Sequence, residues 1–183
     1  MIIEGLLTTE DLTGTPHLAP MGPVVDDGLT TWLLRPFQSS TTFKLLRRNP
    51  ICVFHVVDDV LMLVQAALGQ PSEVACEQHE SGGWIIPTAC HWYQLRVTDW
   101  NVNDARSEAW AVVEDSGVLR PFWGWNRAKH AVLEATILVT RLHLLGHEAV
   151  ANEFDRLENA VEKTAGTREL QAWHILRTRL NQR

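Results

Sequence analysis

The sequence predicts an α+β chain in which a small β-barrel of short strands is followed by a three-helix C-terminal module. Three observations carry that expectation. From Met1 to about Val113 the segments are short, rich in β-branched and aromatic residues, and punctuated by Gly, Pro and Asp, as closely spaced strands require. From about Asn126 onward there is no proline, and apolar residues recur at helical spacing. Between the two lies a seam, Gly117–Trp125, so the expected division is 1–122 for the barrel and 123–183 for the helices.

Taken in order, Ile2–Thr8 reads as a strand and Asp11-Leu12-Thr13-Gly14 as a turn. Pro16–Val25 continues as an extended segment. Pro16, Pro20 and Pro23 cannot donate to a ladder, which places that segment at an edge, a bulge or a barrel rim. Asp26-Asp27-Gly28 is a hairpin turn into Leu29–Leu34. Ser40–Arg48 and Val60–Leu68 read as short helices, and the almost wholly apolar Ile51–Val57 as a strand covered on both faces. Gln70–Thr88 reads as a loop. Tyr93–Thr98 alternates, with Tyr93, Leu95 and Val97 on one side, and Glu108–Val113 is its expected hairpin partner. In the second part, Ala128–Leu145 is apolar on most sides and should be the buried helix, ending at Gly146. Val150, Phe154, Leu157 and Val161 stripe the second helix. Leu170, Trp173, Leu176 and Leu180 stripe the third, with Thr167 as its expected N-cap.

Composition narrows the function classes. At 183 residues the chain can bury a full core without a disulfide or a structural metal. A net charge of −6 leaves no broad basic face with which to displace the counterions of a nucleic acid, so no nucleic-acid partner is expected. The longest apolar runs fall far short of a membrane span, no basic region precedes an apolar core at the N-terminus, and no membrane partner is expected. Cys52, Cys76 and Cys90 form an odd set without a Cys-x-x-Cys pair, which fits reduced thiols in the cytoplasm.

The richest stretch for chemistry is Arg35-Pro36-Phe37-Gln38-Ser39-Ser40-Thr41-Thr42. A strand ends at an arginine, the chain turns at proline, and Ser39, Ser40, Thr41 and Thr42 lead into a helix. Hydroxyls and free amides at a helix N-terminus attract anions, the helix dipole adds to them, and a guanidinium matches phosphate oxygens in pairs. The bland reading of the same residues is an N-capped helix beside a surface arginine. In a second stretch, His17-Leu18-Ala19-Pro20-Met21-Gly22, small residues and prolines let a flat ligand approach the backbone; a proline-blunted edge strand explains them equally. In a third, Asn126 is a good N-cap, yet Arg127 and Lys129 put positive charge in the first turn, where the helix dipole disfavours it unless an anion is bound; solvated side chains held by nearby carboxylates such as Glu134 are the blander reading, and the favoured one for either residue alone.

Other readings do worse. Cys52 and His55, three apart on a strand, point to opposite faces and cannot chelate one ion, so no metal is expected; His55 is expected to be a core histidine bonded to backbone. Asp58-Asp59 is expected to be a strand-end turn. Trp123 and Trp125 could wall a planar ligand or simply pack.

Together these residues resemble the DUF447 proteins. The resemblance rests on Met1-Ile2-Ile3-Glu4-Gly5, Pro20-Met21-Gly22-Pro23, Arg35-Pro36-Phe37 with Ser40 and Thr42, and Asp58-Asp59. It continues through Ala66-Ala67-Leu68-Gly69 and Asn126-Arg127-Ala128-Lys129 to Glu134-Ala135 and Thr140–Leu145. It implies an FMN-binding split β-barrel of the flavin-reductase type with a helical C-terminal extension. It further implies a homodimer with FMN in a groove near the subunit interface. The phosphate would be held by Arg35 and the Ser39–Thr42 hydroxyls, and the isoalloxazine would lie along His17–Gly22. Relatives carry Asn-Leu after the Ser-x-Thr pattern, whereas this chain has Leu45 at the Asn position; Lys44 or Lys129 offers a replacement contact. The implied function is an oxidoreductase passing hydride or electrons between FMN and an unidentified partner or small substrate. The rival is a non-catalytic dimer module that binds flavin or another phosphorylated ligand. No residue stands out as a catalytic acid or base.

Overall fold

The computed structural model describes residues 1–69, 74–103 and 105–182. The chain forms two compact units, Met1–Val57 with Glu73–Phe122, and Asp58–Ser72 with Trp123–Arg183.

The first unit is built on antiparallel strands: β1 (Gly5–Glu10), β2 (Pro16–Met21), β3 (Val24–Val25), β4 (Thr31–Leu34), β5 (Ile51–Val56), β8 (His91–Asn101) and β9 (Glu108–Val118). A separate hairpin, β6 (Glu77–Gln78) with β7 (Trp84–Ile85), occupies part of the stretch read as a loop; residues 70–73 of that stretch lie outside the described residues. The order in the large sheet is β2-β1-β5-β8-β9-β4-β3. Its two edge strands, β2 and β3, are separated in sequence only by Gly22 and Pro23. That short link draws the edges together. Ile2 bridges Val24, the Ile3 N–H donates to Pro23 O at 3.2 Å, and the Val25 N–H donates to Met1 O at 2.8 Å. The sheet thereby curls into a half-barrel, and Pro16 and Pro20 sit on an edge strand, where a missing N–H costs least.

The interior is apolar. Leu7, Trp32, Leu34, Phe54 and Leu95 are fully buried, with the Trp32 ring 5.0 Å from those of both Phe54 and Tyr93. β5 is central, paired with β1 and β8, which is why nearly every side chain along it is covered. Burial pushes the Cys52 thiol up to about 12. His55 is the core histidine anticipated. The Ile86 N–H donates to its Nε2 at 3.1 Å, which leaves Nδ1 to donate to Leu6 O at 3.3 Å. Burial holds that imidazole at about 4, neutral in the folded protein.

Two boundaries moved. The first strand starts at Gly5 rather than Ile2, because residues 1–3 serve the closure instead. β8 and β9 run on past the alternating stretch, because register shifts between Gln94 and Leu95 and between Val97 and Asp99 interrupt the period-two pattern.

The second unit is helical: α2 (Val60–Ala67), α3 (Arg127–Thr140), α4 (Leu142–Leu145), α5 (His147–Thr164) and α6 (Thr167–Asn181); α1 (Thr41–Arg48) belongs to the first. Val64, Val132, Ala135, Val150, Phe154 and Leu176 form its core, where Trp173 stacks on Phe154 at 4.9 Å between ring centres. α2 lies between strands in sequence but buries its apolar face in this core. Asp59 caps α2 by accepting from Leu61 N–H at 3.1 Å, and its carboxylate also engages Arg168 of α6. The helix expected over Ala128–Leu145 is broken. α3 ends at Thr140, Arg141 is its cap, and α4 makes a single turn before Gly146, at φ 82°, starts α5. Gly166, not Thr167, caps α6, where the Glu169 carboxylate accepts from its N–H at 2.9 Å. Leu170, expected in the buried stripe, is 52% exposed in the first turn of that helix. Among the described residues no helix is long and apolar enough to cross a membrane.

Candidate functional site

At the end of β4 the chain leaves the sheet at Arg35 and Pro36, turns, and enters α1. A cavity of about 240 Å³ opens there. Arg35, Pro36 and Phe37 form one wall and Ser40 and Thr42 another. The segment Ala19–Gly22, at the end of β2, supplies the third. Stretches distant in sequence meet because β2 and β3 are the edges that the barrel closure brings together.

The Arg35 Nε is buried in this setting and has no hydrogen-bond partner among the described residues. Buried polar groups in folded proteins are nearly always paired, so an orphaned guanidinium nitrogen marks a place where a ligand acceptor fits. Among the described residues no Asp or Glu lines the cavity. A second guanidinium does line it, that of Arg106 in the β8–β9 connection, stacked over the Phe37 ring at 4.5 Å. That connection is tied to the Arg35–Gln38 turn. Pro36 O accepts from Ser107 N–H at 3.1 Å and from Ser107 Oγ at 2.8 Å, and the Gln38 N–H donates to Ala105 O at 3.1 Å.

The hydroxyl run divides its duties. Ser40 Oγ caps α1, accepting from Phe43 N–H at 3.1 Å and donating to Phe37 O at 2.7 Å. Thr42 is buried, with its Oγ1 3.3 Å from His17 Nε2 on β2. Burial lowers the half-buried His17 below the usual imidazole value, against an upward pull from Asp11. Ser39 and Thr41 are exposed and do not line the cavity, so only half of the run faces it. Leu18 lies mid-strand opposite Thr8, also outside the lining. At Gly22 an added Cβ would stand 2.7 Å from the Glu4 carboxylate, which would have to move aside.

Arg127 and Lys129 stand in the helical unit, in the first turn of α3. There Asn126 Oδ1 accepts from Lys129 N–H at 3.0 Å and Thr164 Oγ1 accepts from Ala128 N–H at 3.0 Å. The second and third amides of α3 are thus met by the protein itself. Trp123 and Trp125 are exposed and do not line the cavity. Among the described residues no group of three or more His, Cys, Asp or Glu is placed to hold a metal. Sequence reasoning missed Arg106, which no local pattern connects to Phe37; its only cue is a lone arginine in a connection between strands.

Two family models match. That of the N-terminal domain of DUF447, a protein of unknown function, covers residues 3–120, and that of its C-terminal part covers residues 126–178. No curated protein matches. Among solved structures, an FMN-bound DUF447 protein of Methanosarcina mazei is 24% identical, with a TM-score of 0.83 over 97% of this chain and 94% of that one. The flavin reductase of the styrene monooxygenase of Pseudomonas putida is 15% identical, with a TM-score of 0.55 over 64% of this chain and 80% of that one. An FMN-binding protein of Thermus thermophilus is 10% identical, with a TM-score of 0.55 over 64% of this chain and 70% of that one. The fold is the split barrel of the flavin reductases, carrying C-terminal helices.

Proposed function

The chain belongs to the DUF447 family, and from that premise we propose that it is an FMN-binding flavoprotein, an oxidoreductase that passes hydride or electrons between bound FMN and a further substrate. The observation that carries this reading is the buried Nε of Arg35, which among the described residues has no partner and faces a cavity without carboxylates. The similar fold of an FMN-bound relative supports it.

The donor set suits the cofactor. FMN ends in a phosphate monoester with charge near −2. Arg35 and Arg106 supply two guanidiniums to meet it, and the first-turn amides of α1 add the positive end of a helix dipole. Ser40 keeps that helix start in place, and Thr42, held against His17, fixes the adjoining wall. The segment Ala19–Gly22 gives a flat backbone surface suited to a planar ring. Bound FMN would supply hydride and single-electron chemistry that no side chain offers.

At about 240 Å³ the cavity lies below the ~300–1,000 Å³ of ordinary small-molecule sites. One chain covers only part of such a ligand. A second copy would cover the rest, which is the homodimer the family resemblance implies. Trp110 and Val112, exposed on β9 beside Leu33 and Thr31 of β4, offer an apolar surface for it.

Purified protein should be yellow, or become so on adding FMN, and should bind FMN more tightly than riboflavin. A colourless protein with equal, weak affinity for both would remove the phosphate clamp from the reading. Bleaching of the flavin band by a reduced nicotinamide donor would establish the oxidoreductase; a bound flavin that no donor reduces would leave a binding module.

A further inference from the structure

The helical unit holds a hollow of its own, of about 970 Å³. It lies where the end of α2, the last turn of α3, α4, the start of α5 and the last turn of α6 come together. The break in the expected helix creates it. Thr140 ends α3, and Arg141 and Gly146 redirect the chain on either side of α4, so Leu142 and His143 line the hollow rather than extending a straight helix. Its volume is that of a small-molecule site.

The chemistry of the lining is one-sided. Leu68, Val139 and Leu142 give it apolar surface, and Arg179 and His143 give it nitrogen donors. Among the described residues no Asp or Glu lines it, in a chain that carries 22 acidic residues against 16 Lys and Arg. His147 is held in orientation by its Nε2, which donates to Leu180 O at 3.1 Å. α6 has three arginines. Arg168 engages Asp59, and Arg177 engages Glu158 and, at 3.8 Å, Asp155. Arg179 has no carboxylate among the described residues; its Nη1 donates only to the Gln182 amide oxygen, at 3.4 Å.

We propose that this hollow is a second ligand site, which takes a small organic anion with an apolar body. The anionic group pairs with Arg179 and His143, and the body lies on Leu68, Val139 and Leu142. The site is formed within the helical unit alone, so it stands independently of FMN binding.

Octanoate, an anionic head on an apolar chain, is a suitable probe, with octanol as its neutral counterpart. Calorimetric titration of the full chain, with and without FMN, should show octanoate binding at one per chain and octanol at least about tenfold more weakly, the scale of one charge-assisted hydrogen bond. Arg179→Gln, at an exposed position, should bring octanoate down to the level of octanol and leave the affinity for FMN and the helical circular dichroism unchanged. Leu142→Trp, which fills the apolar side, should weaken both probes. Octanoate binding no better than octanol, or binding indifferent to both substitutions, overturns the proposal. So does an Arg179→Gln protein whose oligomeric state changes while octanoate binding does not, since the hollow would then belong to a second copy of the chain.

Discussion

The N-termini of α1 and α3 are built from the same parts and left in different states. Each has a polar cap that accepts from the third amide of its helix: Ser40 from Phe43 and Asn126 from Lys129. Each has basic residues close by. At α3 the second amide, that of Ala128, is taken by Thr164 from the end of α5, and Asn126 Nδ2 is spent on Thr164 O at 3.0 Å. At α1 no described residue accepts from the corresponding amide of Thr42, and the neighbouring Arg35 Nε is buried without a partner. One helix start is finished by the fold; the other keeps donors that, on the proposed function, a ligand would meet. The lesson is that a cap residue marks a helix start, but only the accounting of the remaining donors separates a structural terminus from a binding one.

Substitutions can break that contrast. The largest effect is expected from Arg35→Ala, which should weaken FMN binding by about 1.5–3 kcal/mol in a fluorescence titration while riboflavin changes little. Equal losses for the two ligands would mean that the guanidinium does not meet the phosphate. Next come the caps. Ser40→Ala and Asn126→Ala should each lower stability to urea by about 1 kcal/mol, but only the first should also weaken FMN. Loss of FMN affinity in Asn126→Ala would make the two termini equivalent and dissolve the comparison. Thr164→Val should cost a similar ~1 kcal/mol in the same urea measurement and leave FMN untouched, because it removes a partner of α3 alone. The smallest effect is expected from Lys129→Ala: a change in FMN affinity within about 0.5 kcal/mol, the ordinary range for a surface substitution. A tenfold loss confined to FMN would restore the phosphate contact that the sequence pattern suggested for this lysine.

The two termini also show what the sequence discloses. Asn126 was legible as a cap, whereas Ser40 was read as the first residue of its helix and not singled out from the hydroxyl run. Thr164 and Arg106 were not legible, since each reaches its partner across a long stretch of chain that only the fold brings together. α2 was legible as a helix from its apolar run, but its place in the helical core was not, because composition says nothing about which core an apolar face will join. The barrel edge could be read from Pro16 and Pro20. The break at Arg141 could not, as Leu142 and Leu145 prolong the apolar period straight across it. Of the hydroxyl run, the pattern pointed to a turn that lines a cavity but could not tell Thr42, buried against His17, from the exposed Ser39 and Thr41.

The link of Gly22 and Pro23 has a consequence for dynamics. The same few residues form a wall of the cavity and fasten the free ends of the half-barrel, so the two tasks share one local opening event. Anything that grips Ala19–Gly22 must also hold shut the clasp formed by Ile3 with Pro23 and Val25 with Met1. Amide exchange at Ile3 and Val25 should therefore slow as the cavity fills, so that two backbone protons on the far side of the link report occupancy without touching the ligand.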